Sequence, residues 1–125
     1  VLKLAGFGDD AAIIANSANI IPKKGWYEVV IHGTDDGLNF VVNGQLTTPS
    51  QLYNSMLAAG YSQGTRIRLM SCFSGSLPNG AASQISKLAN AQVVAITNSM
   101  WIANSQGFLP AGKLMVDNGG WFKVF

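Results

Sequence analysis

Two apolar runs constrain this 125-residue chain more than any other feature. They are Trp26-Tyr27-Glu28-Val29-Val30-Ile31-His32-Gly33 and Arg66-Ile67-Arg68-Leu69-Met70-Ser71-Cys72. Both are dominated by β-branched and large apolar residues, the pattern of interior strands of a parallel sheet covered on both faces. Gln92-Val93-Val94-Ala95-Ile96-Thr97 is a third run of this kind. Helices are predicted between them. Thr48-Pro49-Ser50 is a helix start, with Thr48 as N-cap and Pro49 in the first turn. Leu52, Tyr53, Met56 and Leu57 would form its inward face, and Gly60 suits the left-handed position after its end. Ala81 to Leu88 reads as a second helix, with Ile85 and Leu88 inward and Asn90 ending it. Strand–helix–strand crossovers are right-handed and join parallel strands. The expected class is therefore α/β, with three layers and a mostly parallel sheet.

The flanking segments fit this order. Val1 to Ala5 reads as a short strand. Asp9 or Asp10 would cap a helix over Ala11 to Ile21, which Pro22 stops. Asn39 to Leu46 reads as a hairpin turning at Asn43-Gly44. From Met100 onward, short apolar segments broken by Gly, Pro and Asn predict a C-terminal antiparallel β flap built from Trp101-Ile102-Ala103, Lys113 to Val116 and Trp121 to Phe125.

Composition narrows the function classes. Hydrophobic residues make up 48% and charged residues 11%, which suits one globular domain over residues 1–125. A formal charge of +2, spread over scattered basic residues, gives no nucleic-acid-binding face, so no nucleic-acid partner is expected. Arg66 and Arg68 read as solvated residues at a strand end. The single cysteine excludes an internal disulfide. No run is long and apolar enough to predict a membrane span. The chain begins at Val1 without a signal-peptide pattern, and is expected to be the C-terminal piece of a larger protein.

The chemistry lies at the strand ends. The only histidine, His32, ends the first apolar run, and the only cysteine, Cys72, ends the second. In open α/β sheets, ligands bind at the carboxyl ends of the strands. Singly, a strand-end cysteine is a small hydrophobe and a strand-end histidine a surface residue. If the two strands are neighbours, their tips lie about 5 Å apart, and imidazole and thiol can serve one substrate carbonyl. Cys72 would then be the nucleophile and His32 the proton-transfer group. The N–H groups of Gly33 and Cys72 would form an oxyanion hole. The Ser/Gly loop from Phe73 to Gly80 would rim the site, and the helix after it would favour the thiolate through its dipole. Asp35, Ser74 and Gly75 are candidate substrate contacts, although Asp35-Asp36 also reads as a solvated turn. No metal-ligand spacing and no dinucleotide or phosphate loop is present, so no metal or cofactor is expected.

Val30-Ile31-His32-Gly33 and Ile67-Arg68-Leu69-Met70-Ser71-Cys72-Phe73-Ser74-Gly75 resemble the two motif strands of the caspase-like peptidases: caspases, legumains, gingipains, clostripain and CHAT domains. With Gly80-Ala81-Ala82, Leu88-Ala89, Val93-Val94-Ala95 and Gly119-Gly120-Trp121-Phe122-Lys123-Val124-Phe125, the chain is similar to a bacterial group. That group sits at the C-termini of very large secreted proteins, including polymorphic toxins of the Rhs and contact-dependent-inhibition kind. The resemblance spans about residues 26 to 125. It implies a caspase-like three-layer fold and a His32–Cys72 dyad cleaving a protein or peptide substrate. It also implies a cognate immunity protein as partner, and secretion or delivery into a target cell's cytoplasm. The chain departs from caspases in carrying Met70-Ser71 where they have Gln-Ala, and no charged residue is assigned to a specificity pocket.

Two other readings remain open. One is a toxin of different chemistry, an RNase or nucleotide-directed enzyme, with His32 as base and Arg66, Arg68 or Lys113 on phosphate. The other is a non-catalytic binding module in which Cys72 is inert.

Overall fold

A computed structural model describes residues 2–4, 24–97, 100–102, 114–116 and 122–125. The predicted helix over Ala11 to Ile21, with its cap and Pro22, lies outside the described residues, as does Lys113.

Strands β1 (Leu2–Leu4), β2 (Trp26–Gly33), β5 (Arg66–Met70) and β6 (Val93–Ile96) run parallel in the middle of one open sheet. The hairpin of β3 (Phe40–Val42) and β4 (Gln45–Thr47) extends it antiparallel beyond the tip of β2. Strand β9 (Phe122–Val124) adds antiparallel to β6 at the other edge. Strands β7 (Met100–Ile102) and β8 (Leu114–Val116) pair antiparallel as a separate two-stranded sheet. The α/β class and the antiparallel C-terminal strands are thus present. Parallel pairing is confined to the sheet's centre, however, and the sheet is mixed rather than mostly parallel. Central strands joined by helices must run parallel, whereas strands joined by a two-residue turn must run antiparallel. The β3–β4 turn is of the latter kind: Asn43 and Gly44 both adopt positive φ, 52° and 74°.

Helix α1 (Pro49–Ala58) begins with a full capping box. Gln51 N–H donates to the Thr48 hydroxyl at 3.2 Å, and Thr48 N–H donates to Gln51 Oε1 at 2.9 Å. Leu52 and Met56, four residues apart, are its buried stripe. Leu57 lies about 100° further round the helix and is exposed, contrary to the sequence expectation. Helix α2 (Ala81–Ala89) buries Ala81, Ala82, Ile85 and Ala89 and ends at Asn90 in the left-handed region.

Both helices pack on one face of the sheet, against Val29, Ile31, Ile67, Leu69, Val93 and Ala95. These alternate positions leave Glu28, Val30 and His32 of β2, with Arg68 and Met70 of β5, on the opposite face. The described residues therefore give a sheet and one helical layer. Arg68 is not the solvated strand-end residue that its charge suggested. Its Nη2 lies 2.6 Å from Glu28 Oε2, and Glu28 is only 2% exposed. Arg66 stacks over the Trp26 ring, 4.7 Å from its centroid.

The Glu28–Arg68 pair generates a stability prediction. Removing the guanidinium alone takes from the buried Glu28 carboxylate a charge partner at 2.6 Å, so Arg68→Met should cost up to roughly 3–5 kcal/mol. Replacing both partners with apolar residues, Glu28→Leu with Arg68→Met, should recover most of that loss. Urea unfolding of the two variants checks this. An Arg68→Met midpoint equal to the native one would show that the pair contributes nothing.

Candidate functional site at the carboxyl ends of β2 and β5

The β2–β5 ladder runs from Trp26↔Arg66 to Val30↔Met70, so each residue of β2 faces the one forty positions later. His32 is two residues beyond Val30 and Cys72 two beyond Met70, so each follows the last pair of the ladder by the same number of positions. Gly33 closes the gap between the tips. A Cβ on Gly33 would lie 1.9 Å from the Cys72 carbonyl oxygen and 2.8 Å from Ser71 Oγ. Any side chain there would have to occupy the space that the Cys72 peptide already fills.

Alternation then assigns faces. The Gly33 Cβ position shares the helix-facing side of β2 with Val29 and Ile31, and Ser71 Oγ meets it there. Cys72 is the next residue, in the turn after β5, and His32 lies on the other face of β2 from Gly33. Both are half-buried, and Cys72 is in no disulfide. The amide of Gly33 is also oriented. Thr34 N–H donates to Asn39 C=O at 3.0 Å, which makes Thr34 and Asn39 a hydrogen-bonded pair across the hairpin. Neighbouring pairs in an antiparallel ladder alternate, so the N–H of Gly33 points away from β3, toward the β5 side.

Two loops follow the two strands. In the first, the Asp36 carboxylate accepts from the Thr34 hydroxyl at 2.5 Å and from Leu38 N–H at 3.0 Å. These bonds, the Thr34 hydroxyl first, hold the Asp36 carboxyl below its ordinary range. In the second loop Phe73 has φ of 60°. A non-glycine residue in the left-handed region is uncommon, and an aromatic one more so. The turn is held by the Ser74 hydroxyl donating to Ser71 C=O at 2.8 Å and by Ser76 N–H donating to Phe73 C=O at 3.0 Å. Gly75 N–H reaches Ile96 C=O at 2.8 Å, tying the loop to the end of β6.

The start of α2 holds both loops together. Ala81 N–H donates to Gly37 C=O at 2.8 Å, and Ala82 N–H donates to Ser74 C=O at 3.0 Å. Two of the donors that a helix leaves unpaired at its N-terminus are therefore taken up by the loops. The sequence expected this helix to favour a thiolate; its observed role is to clamp the loops that follow His32 and Cys72.

The structure places Gly33 against the Cys72 peptide, with His32 the residue before Gly33 on β2. Asp35 is exposed in the first loop. Ser74 and Gly75, expected as substrate contacts, are buried, and their hydrogen bonds are spent on shaping the loop. Ser71 is a site residue that the sequence did not single out. It is 1% exposed, and its hydroxyl has no hydrogen-bond partner among the described residues. Its position before Cys72 was the only signal available. Among the described residues no group of three or more His, Cys, Asp or Glu is placed to hold a metal ion. A cleft of about 390 Å³ between the β3–β4 hairpin and α1, lined by residues such as Leu46, Thr47 and Gln51, includes neither His32 nor Cys72. No helix of the described residues is long and apolar enough to cross a membrane.

Fold and site together define an α/β domain with an imidazole and a thiol at the carboxyl ends of adjacent parallel strands. The chain belongs to the family described as Domain of unknown function (DUF8616), which matches residues 2–116. No curated protein and no solved structure matches it.

Two predictions follow from this geometry. Gly33→Ala forces apart the tips of β2 and β5 at a backbone contact, and should cost roughly 1–3 kcal/mol or more. Thermal unfolding measures it, and an unchanged midpoint would contradict the close contact. Asp36 has a lowered carboxyl pKa in the folded chain, so its contribution is complete above the unfolded carboxylate's pKa and is lost as pH falls through the lowered value. Amide exchange at Leu38 should therefore accelerate at acidic pH in the native chain, beyond the intrinsic pH trend of exchange. In Asp36→Ala that extra acceleration should be absent.

Proposed function

We propose that this domain is a cysteine-dependent peptidase of caspase-like type, acting as a toxin or effector domain of a larger secreted protein. The observation that supports this reading is the parallel β2–β5 register, with Gly33 packed on the Cys72 peptide, because the strands that lead to the only imidazole and the only thiol are neighbours.

The chemistry follows from the residues present. Cys72 Sγ, as thiolate, attacks the carbonyl carbon of a peptide bond. An S–C bond forms, and the π pair moves to oxygen, where the N–H groups of Gly33 and Cys72 receive it. The C–N bond then breaks, and protonated His32 gives its proton to the departing amine. Water attacks the resulting thioester with His32 as base, releasing the carboxylic acid and restoring the thiol. Asp35, exposed in the loop after β2, is the candidate contact for the substrate chain.

The full caspase-like three-layer architecture, delivery into a target-cell cytoplasm and a cognate immunity protein belong to the same proposal. They rest on the motif resemblance at His32-Gly33 and Ser71-Cys72. The phosphate-directed alternative is less well supported. Arg68 is committed to Glu28 and Arg66 lies over Trp26, at the amino-terminal part of the ladder and away from His32.

Cys72→Ala and His32→Ala test the proposal, with cleavage of target-cell proteins and growth arrest as readouts. Each should abolish both while leaving thermal unfolding unchanged. In vitro, His32→Ala should slow alkylation of Cys72 by iodoacetamide at neutral pH by roughly tenfold or more, because the imidazole assists thiolate formation. Full activity in Cys72→Ala would overturn the reading. Activity that needs His32 but not Cys72, with loss of RNA or nucleotide, would replace it with the phosphate-directed one.

A further inference from the structure

An apolar row leads from His32 to an edge strand of the sheet. His32 pairs with Val41 of β3, and Val41 pairs with Leu46 of β4. Residues directly opposite on paired strands share a face, so these three lie in one row on the face away from the helices. The neighbouring row fixes the assignment: Gly33 pairs with Phe40, and Phe40 belongs to the core on the helix side. Val41 is half-buried. Leu46 is 64% exposed, the most exposed large apolar side chain among the described residues. Edge strands are ordinarily blunted by charged side chains. Here no charged residue occurs anywhere from Gly37 to Thr65, the stretch that includes the whole hairpin and α1. The row beside His32 is therefore apolar, reachable from solvent at Leu46, and carried on strands without a charge.

We propose that Val41 and Leu46 form the subsite for the amine side of the substrate, so that the domain cleaves peptides carrying apolar residues just after the scissile bond. This rests on the thiol-peptidase reading of the site. The strand order β4-β3-β2-β5 puts β3 and β4 on the side of β2 away from the strand that leads to Cys72. In that reading the acyl carbon bonds to Cys72 and the departing nitrogen takes its proton from His32. The chain beyond that nitrogen continues past His32, over β3 and β4. Adjacent strands lie about 5 Å apart and an extended peptide advances about 3.3 Å per residue, so the first three residues after the bond span the row. An apolar side chain there covers Leu46 and is stabilised by the area removed from water. A charged one would be desolvated against strands that offer it no counter-charge.

The test is a peptide library, prepared by tryptic digestion of a cell proteome, incubated with the native chain and read by mass spectrometry as new amino termini. Leu, Ile, Val, Met and Phe should be enriched within the first three residues of those termini. In Leu46→Glu, cleavage of these peptides should fall roughly tenfold, the size of effect that one apolar contact supplies. Its thermal midpoint and its iodoacetamide alkylation of Cys72 should match the native chain, because Leu46 is exposed and is not part of the dyad. Leu46→Met should retain the native preference, and Leu46→Lys should shift it toward Asp and Glu. Cys72-dependent cleavage without apolar enrichment after the bond, or the same enrichment in Leu46→Glu, would overturn this inference and leave the peptidase reading intact. No Cys72-dependent cleavage of any library peptide by the native chain would overturn both. A native chain that sediments as a dimer, with Leu46→Glu a monomer of unchanged cleavage preference, would assign the row to a second copy and refute the proposal.

Discussion

The parallel ladder between β2 and β5 fixes everything else that matters here. Its register is protected by a buried charge. Glu28 and Arg68 are direct partners across the ladder, and their side chains meet at 2.6 Å on the face away from the helices. A slip of one residue in β5 would reverse every side chain of that strand. Arg68 would then enter the apolar layer that Ile67 and Leu69 occupy, and the Glu28–Arg68 pair would be broken. The pair adds specificity of alignment, and that alignment places the strands that lead to His32 and Cys72 side by side.

Above the ladder, the fold spends hydrogen bonds on the site rather than on extra secondary structure. Helix α2 has no side-chain cap, since a Cβ on Gly80 would lie 2.5 Å from the Gly37 carbonyl oxygen, and its first N–H groups go to Gly37 and Ser74, one in each loop. The two loops thereby move as one body with the helix and the core beneath it. Gly75 extends the connection to β6. The half-buried thiol and imidazole therefore stand on supports that are themselves buried, the arrangement in which a reacting geometry is held without movement of the surface.

Local signals in the sequence carried the central strands, the Thr48 cap and the Asn43-Gly44 turn, because each depends on a few neighbouring residues. What escaped depends on contacts distant along the chain. Arg68 read as solvated because its partner Glu28 is forty positions away and becomes its neighbour only once the register is known. Leu57 read as inward because periodicity locates a stripe without fixing its width. Ser74 read as rim because Ser/Gly loops are ordinarily exposed; its burial follows from the clamp by α2 and its bond to Ser71. The mixed character of the sheet escaped for a related reason, since short edge strands carry too few residues to show which neighbour they choose.

Three departures from ordinary local chemistry fall within one small region. Phe73 holds a left-handed backbone that costs roughly 1–2 kcal/mol for a residue with a side chain. Ser71 buries a hydroxyl without a partner among the described residues. Gly33 meets the Cys72 peptide at a distance that excludes every other residue type. Among the described residues the two other non-glycine positions with positive φ are asparagines at a hairpin turn and a helix end, where that conformation is common. Strain gathered at one place is what a functional site would retain, and it supports the site proposed there. It is independent of the motif resemblance, and both lead to the junction of Gly33 with Cys72.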